Sequence, residues 1–375
     1  MRRLRRWLRI LVQRVPLVGE DWLLPRLRAL YEQLPLLDWR RKRFALSEAR
    51  NLLCHLESDG KDFTVIYDCK VTGLAYGDLL HVLAIARFLI HSGGEVTFIL
   101  VETTAPHFLG GMNQSEIDYF IKDAVEVAGL VLGSERSEIM TLPEADLDNR
   151  LRAVDQRGVL FSESVGLRRP YYREAFNVFN QLMASLPEGS RHQVLFGRDE
   201  FLSELPVEFM NRRFVTWHCR FSTRWDESRL TTDEDFIVGY RAICERFPGR
   251  EVLVVSDEVG CAHYADTARS LGLDGLLFSK DVSTSFLGDC ALILQSEFFF
   301  CYRGGGILEI PFMSVMPYEI VAPVMNETMW SSRSLGCWQE QNQRWLNVPR
   351  VRGKGELADF ISQGTVLGQE TGVDS

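Results

Sequence analysis

Three short groups of residues that suit phosphate binding each follow a strand-like run in the second half of the sequence: His218-Cys219-Arg220, Ser256-Asp257 and Arg303-Gly304-Gly305-Gly306. An arginine guanidinium can donate two parallel hydrogen bonds to a phosphate, and a glycine turn before a helix lets main-chain N–H groups approach a diphosphate. A carboxylate accepts hydrogen bonds from a ribose hydroxyl or a base N–H. Because the carboxyl ends of parallel strands meet at one edge of a sheet, these groups together predict a nucleoside diphosphate site.

Each of these residues also has a purely structural interpretation. Arg220 alone fits a loop arginine in a salt bridge, and His218 alone fits a packed histidine at the end of a strand. Asp257 fits a helix N-cap, and three glycines fit a turn. Their occurrence after successive strands of one predicted domain favours the joint interpretation. The predicted nucleotide-binding set is His218, Arg220, Ser256, Asp257, Arg303, Gly304, Gly305 and Gly306.

Alternating strand-like and helical segments in the second half predict a parallel sheet that would hold these groups. A helix is predicted to begin after Thr231-Thr232, because each threonine precedes an acidic residue by three positions. Two further helices are predicted at 262–271 and 286–294. The strand-like runs are 214–218, 252–255, 275–278, 297–302 and 313–316, the last of which is predicted to end at Pro317.

The first half begins with the same arrangement: a strand at 63–68, a helix at 79–91 and a strand at 95–101. Helical patterns follow at 114–128 and 171–185, but the rest of 103–190 shows no clear pattern. The predicted fold class is α/β, with two Rossmann-like doubly wound domains that face each other across a cleft and a basic N-terminal helical arm. The predicted units are 1–60 (arm and linker), 61–205 (first domain), 206–350 (second domain) and 351–375 (C-terminal helix and polar tail).

Composition excludes several classes of protein. The 375 residues are 46% hydrophobic and carry a net charge of −9, which argues against a disordered chain and a nucleic-acid binder. The densest apolar run, 79–90, is too short to span a bilayer, which needs about 20 residues. The eight cysteines form no C-x-x-C pair, and no metal-ligand spacing occurs, so we expect reduced thiols, a cytoplasmic protein and no protein-held metal.

The N-terminal segment is strongly basic. Residues 1–43 hold twelve of the 42 Lys and Arg residues, against four of the 51 Asp and Glu residues. Within 1–15, apolar residues recur at helical spacing with arginines on the other faces. Such a helix would lie on an anionic membrane surface, giving a peripheral protein of the inner face, or it would dock on the body of the protein or on a partner.

The stretch 213–320 resembles the donor domain of GT-B glycosyltransferases, and within them the fucosyltransferase-like superfamily. The resemblance lies in the H-x-R motif 218–220, in Ser256-Asp257 at a strand end, and in the helix around Asp289. The resemblance also includes an apolar strand at 298–300 and the small-residue turn 304–306. In that superfamily, serines often occupy the positions of these glycines. In the first half, the loop that ends in Gly77-Asp78 is similar to the Gly-Asp loop of heptosyltransferase-like enzymes.

This resemblance implies transfer of a sugar from a nucleotide-diphosphate sugar, with a GDP-sugar favoured, to a glycan or lipid-linked acceptor. It implies inversion without a metal or other cofactor, and Arg220 would stabilise the leaving diphosphate. Asp78 is the candidate general base, although it also fits an N-cap, while His81 fits a packed residue. Asp226 and Glu227 fit either a base or solvated side chains.

Three other interpretations stay open. The principal alternative is a non-catalytic nucleotide- or glycan-binding protein of a surface-polysaccharide assembly, which would bind without turnover. A sugar-nucleotide epimerase usually carries several paired carboxylates around its cleft, and these are not identifiable in the sequence. Hydride transfer is weaker still, because no G-x-G-x-x-G follows the first strand.

Overall fold

The computed structural model describes most of the chain between residues 35 and 321. The described residues are 35–58, 61–69, 74–103, 113–154, 158–161, 172–221, 230–273, 275–302, 307, 310, 313–314, 318–321 and 362. Several predictions lie outside them. These are the amphipathic segment 1–15, residues Asp226 and Glu227, the turn 303–306, and the C-terminal helix and tail of 351–375 apart from residue 362.

The regular elements alternate between strands and helices. The strands β1 to β9 are Asp62–Asp68, Glu95–Glu102, Ser137–Pro143, Val159–Phe161, Phe214–His218, Glu251–Val255, Leu276–Phe278, Phe299–Tyr302 and Tyr318–Val321. The helices α1 to α10 are Pro35–Glu57, Tyr76–His91, Gln114–Leu132, Glu144–Arg152, Tyr172–Ser185, Arg191–Val194, Asp233–Arg246, Glu258–Ser270, Ser279–Val282 and Phe286–Gln295.

The strands form two parallel sheets with the same winding. The first has the order β3-β2-β1-β4, and the second has the order β7-β6-β5-β8-β9. In each sheet the chain moves outward from its first strand and then returns to the other side of that strand. This places a topological switch point between β1 and β4 and another between β5 and β8, where open parallel sheets bind ligands. The predicted pair of doubly wound α/β units is confirmed.

Burial explains why the central strands were recognisable in the sequence. All five residues of β5 are buried, as expected for a parallel strand that is covered on both faces. Thr232 caps α7, because its hydroxyl accepts a hydrogen bond from the amide of Asp235 at 3.1 Å. The helix start predicted from the threonine–acid spacing is therefore confirmed.

Helix α1 belongs to the packed body, although the sequence placed residues 1–60 in an arm and linker. Ala49 and Leu52 are buried in the hydrophobic core, and the ring of His55 meets that of Phe63 edge-on at 5.0 Å. The described part of the predicted arm, residues 35–57, is thus docked on the first half.

Two other predictions differ from the structure. The region 103–190 contains β3, α4 and β4, which the sequence did not reveal because β3 lies at the edge of its sheet and is only partly buried. The predicted strand at 313–316 is not found at 313 and 314, the two of its positions that the structure describes. Met313 lies in a turn and Ser314 forms an isolated bridge with Phe196, whereas β9 begins after Pro317. Proline has no N–H for a ladder, so a strand starts more readily after it than before it.

The carboxyl edges of the two sheets face each other. Helix α2 follows β1 and helix α10 follows β7 and α9, so each begins at the carboxyl edge of its own sheet. Tyr76, the first residue of α2, stacks on Phe286, the first residue of α10, with ring centroids 3.9 Å apart and planes within 7°. One hydrophobic cluster includes residues from both halves, such as Leu83 and Leu292. The predicted facing arrangement is confirmed.

Candidate nucleotide-binding site

His218 and Cys301 mark the switch point of the second sheet. They are paired in register on the neighbouring strands β5 and β8, and the His218 Nδ1 lies 3.3 Å from the Cys301 sulfur. Residues 219–221 follow directly at the carboxyl end of β5. The H-x-R motif thus lies at the carboxyl edge of this sheet, and its role in ligand binding stays a prediction.

Burial makes His218 a neutral side chain. Only 8% of the residue is exposed, and desolvation, with a smaller contribution from the charge of Arg220, lowers the pKa of His218 to about 3. A neutral imidazole binds a phosphate through a hydrogen bond and not through charge. In this motif the positive charge therefore comes from Arg220.

The main chain of Arg220 is held at the carboxyl end of β5. Its amide donates to the Thr231 hydroxyl at 2.9 Å, and its carbonyl accepts from the Thr231 amide at 2.7 Å. These two bonds pair the main chain of Arg220 with Thr231. Hydrogen bonds therefore hold both main-chain polar groups of Arg220, whose side chain is half-buried.

Ser256 and Asp257 form the turn between β6 and α8, on the strand beside β5. The Asp257 carboxylate caps α8 by accepting from the amide of Gly260 at 2.7 Å. This confirms the helix-cap interpretation of Asp257. Gly260 also leaves room for buried Ser256, since a Cβ at that position would lie 2.0 Å from the Ser256 hydroxyl oxygen. The turn is therefore tightly built and next in the sheet to the end of β5.

Asp289, in the first turn of α10, is buried with a lysine. The Lys280 ammonium donates to Asp289 Oδ2 at 2.6 Å, and the exposed fractions of the two side chains are 13% and 9%. Burial raises the pKa of Asp289 to about 6, although Lys280 opposes this shift. This pair supports the start of α10, where the second half contacts the first.

The chain matches no protein-family model, and comparison with curated proteins also found no match. It is similar in structure to the E. coli heptosyltransferase WaaC with ADP, at 10% identity and a TM-score of 0.42, over 69% of this chain and 87% of that one. A glycosyl transferase family 9 protein from Veillonella parvula has 9% identity and a TM-score of 0.39, over 79% and 95%. A Listeria monocytogenes protein described as a UDP-N-acetylglucosamine 2-epimerase has 11% identity and a TM-score of 0.30, over 80% and 94%.

These TM-scores lie below 0.5, so the function has to be argued from the residues of the site itself. The likeness of the H-x-R region to the fucosyltransferase-like superfamily stays a prediction.

Asp78, the candidate base, lies near the start of α2 in the first half. Asp78 is the third residue of α2 and is half-buried. The N-cap position belongs to Ala75, which makes no side-chain cap bond, so the interpretation of Asp78 as an N-cap is wrong. His81, one turn further along, is 2% exposed, in agreement with the prediction of a packed residue.

The predicted site residues are therefore only partly brought together. His218 ends β5 and Arg220 follows it, Ser256 and Asp257 follow the adjacent β6, and Cys219 donates its amide to Val255 across the two strands at 3.1 Å. Arg303, Gly304, Gly305 and Gly306 lie outside the described residues.

Sequence reasoning missed a buried polar contact between α2 and α3 of the first half. The Tyr76 hydroxyl donates a short hydrogen bond to Asp123, which is 4% exposed. Burial raises the pKa of Asp123, while the bond from Tyr76 opposes the shift. A signal was present in the sequence, because Asp123 lies on the apolar face of α3 with Phe120 and Val127. A carboxylate at such a position needs a buried donor.

Within the part of the chain that the structure describes, no group of three or more His, Cys, Asp or Glu side chains could hold a metal. The seven cysteines in these ranges are free thiols. No helix in the described segments has the length and apolar character needed to cross a membrane. An open groove of about 640 Å³ lies beside Gly93 and Gly133, at the amino edge of the first sheet and thus opposite the candidate site.

Proposed function

We propose that the protein is a glycosyltransferase that moves a sugar from a nucleotide-diphosphate sugar, with a GDP-sugar favoured, to a glycan or lipid-linked acceptor. The observation that carries the proposal is the arrangement at the second switch point. Arg220 has a fixed main chain at the end of the central strand, beside a buried neutral histidine and next to the Ser256-Asp257 turn. A guanidinium at this edge suits the two phosphates of a nucleotide sugar.

In the proposed reaction, an acceptor hydroxyl attacks the anomeric carbon while the bond from that carbon to the diphosphate oxygen breaks. Negative charge grows on the leaving diphosphate, and Arg220 stabilises it without a protein-held metal. His218 donates a hydrogen bond to the phosphate or ribose of the donor. Ser256 and Asp257 contact its nucleoside. Arg303 and the glycines Gly304, Gly305 and Gly306 complete the phosphate site in this proposal.

Asp78 is the proposed general base. It lies near the start of α2, whose first residue Tyr76 contacts the second half through Phe286. Its carboxylate would take the proton of the acceptor hydroxyl as the new bond forms. Attack from the face opposite the leaving group would invert the anomeric configuration.

The reaction is tested by the release of free nucleoside diphosphate from GDP-, UDP- and ADP-sugars, with a mixed glycan and lipid extract as the acceptor pool. We expect release from one donor class, and a loss of about 10²- to 10³-fold in Arg220→Ala, the usual effect of removing one preorganised donor. Asp78→Asn should lower the rate while leaving donor affinity unchanged. Donor binding without release in any mixture would favour the non-catalytic binding protein instead.

The basic segment supports a second part of the proposal, in which residues 1–43 hold the protein on an anionic membrane at the cytoplasmic face. The excess of arginine there is the supporting observation. Deletion of residues 1–34 removes most of these charges and leaves the docked helix α1 in place. Binding to phosphatidylglycerol vesicles should then be lost, and unchanged binding would contradict this part.

A further inference from the structure

Tyr264 holds the two ends of the segment that follows Arg220. The residue lies on α8 and is fully buried. Its hydroxyl donates toward the Arg220 carbonyl at 3.1 Å and the Thr231 carbonyl at 2.7 Å. We propose that Tyr264 is a positioning residue, which sets where Arg220 enters the switch-point crevice and thereby sets the affinity for the diphosphate. This inference rests on the proposed function.

The hydroxyl is placed to act only as a hydrogen-bond donor toward these carbonyls. Burial raises the pKa of Tyr264 far above its usual range, so its proton stays in place at physiological pH. Arg220 and Thr231 already pair through two other hydrogen bonds. The tyrosine therefore adds a third connection, from outside the loop, that ties the paired ends to α8.

A second contact from the same helix reinforces this connection. Phe221, directly after Arg220, stacks on His263 with ring centroids 4.0 Å apart and planes within 14°. His263 in turn lies 2.7 Å from the Asp233 carboxylate at the start of α7. Helix α8 thus contacts the Arg220 main chain through Tyr264 and the next residue, Phe221, through His263.

The same helix starts at the Ser256-Asp257 turn, where Asp257 caps it. One rigid element therefore connects two of the three groups predicted to bind the nucleotide. A displacement of α8 would move Arg220 relative to Ser256 and Asp257, and the positioning role predicts that diphosphate binding is sensitive to this connection.

Tyr264 also has a packing role, which the test has to separate. Its ring lies against Phe236 at 4.7 Å within the core of the second half. Tyr264→Phe keeps this ring and removes only the hydroxyl. Tyr240→Phe is the matched control, because it removes a hydroxyl from α7 that interacts with Cys244 and lies outside the proposed contacts.

The experiment titrates the full chain with ADP, GDP and UDP by calorimetry and follows amide hydrogen exchange at Arg220 and Thr231. We expect Tyr264→Phe to weaken binding of the diphosphate that the wild type binds by about three- to tenfold, which corresponds to one net hydrogen bond. Hydrogen exchange at the amides of Arg220 and Thr231 should accelerate. Tyr240→Phe should change neither the diphosphate affinity nor the exchange rates. Adding Tyr264→Phe to Arg220→Ala should weaken binding no further, because the tyrosine acts through the arginine.

Faster exchange with unchanged affinity would overturn the positioning role and leave Tyr264 as a structural residue. Unchanged hydrogen exchange would also overturn the positioning role, because it would show that the Tyr264 hydroxyl does not hold the Arg220 main chain. If the wild type binds none of the three diphosphates, the proposed function fails. The exchange measurement then still decides whether Tyr264 fixes the main chain of Arg220.

Discussion

At the scale of single residues, the sequence identified side chains but not their charge. The H-x-R spacing pointed to His218 and Arg220, and both lie at the carboxyl end of β5. Whether the histidine is charged depends on how deeply the strand end is covered, which no local pattern reports. Asp257 shows the same limit, because its position after a strand fits both a cap and a ligand, and the structure shows the cap.

Burial of His218 predicts a pH dependence of folding. Its pKa is about 3 in the folded protein and near 6.5 when the chain is unfolded, so the unfolded state binds the proton more readily between these values. Stability from this group is complete above pH 6.5 and is lost as the pH falls. Between pH 7 and 5, wild type should lose about 2 kcal/mol more unfolding free energy than His218→Asn, as measured by urea denaturation. An equal loss in both proteins would show that His218 is not held neutral.

At the scale of elements, the sequence predicted those whose patterns come from full burial or from caps. The central strands β1, β2, β5 and β6 are mostly apolar, and α7 begins directly after Thr232, one of the two threonines predicted to precede it. The edge strand β3 was missed because its residues are partly exposed. Tertiary packing determines whether such an edge strand forms, and a short stretch of sequence does not reveal that packing.

Helix α8 gives a prediction at this scale. Gly260→Ala places a Cβ 2.0 Å from the Ser256 hydroxyl oxygen and 3.0 Å from the Asp257 carboxylate, so the capped turn has to shift. We expect a destabilisation of about 1–3 kcal/mol by thermal unfolding. Gly129→Ala in α3 is the control. It meets no atom within 4 Å and should stabilise the protein by about 0.5–1 kcal/mol. Similar effects of the two substitutions would contradict the tight fit of α8 against its turn.

At the scale of the whole molecule, two strand–helix–strand units in one chain were enough to predict two facing sheets. The residues that join the halves were not predicted, because Tyr76 and Phe286 have no distinctive spacing and meet only after both sheets have formed. The Tyr76 ring stacks on Phe286 of the second half, while its hydroxyl donates to the buried carboxylate of Asp123 within the first half.

Tyr76→Phe tests the hydrogen bond to Asp123, since it keeps the ring stack and removes the hydroxyl. The Asp123 carboxyl would lose its donor while it remains buried, so we expect a loss of about 1–3 kcal/mol in unfolding free energy. Tyr119→Phe is the matched control on the same side of the molecule. Its residue is 53% exposed and its hydroxyl lies 3.4 Å from the Thr284 carbonyl, so the change should stay within about 0.5 kcal/mol. Equal losses in urea denaturation would argue against a stabilising hydrogen bond between Tyr76 and Asp123.

A diphosphate site at Arg220 is tested by calorimetric titration of the wild type and of Arg220→Ala with ADP, GDP and UDP. Arg269→Ala is the matched control, because it removes the same charge from an arginine that is 77% exposed and paired with Asp266. We expect one diphosphate to bind the wild type and Arg269→Ala alike, and Arg220→Ala to bind it at least tenfold more weakly. Binding of the same strength in all three proteins, or no binding to the folded wild type, would contradict a diphosphate site at Arg220.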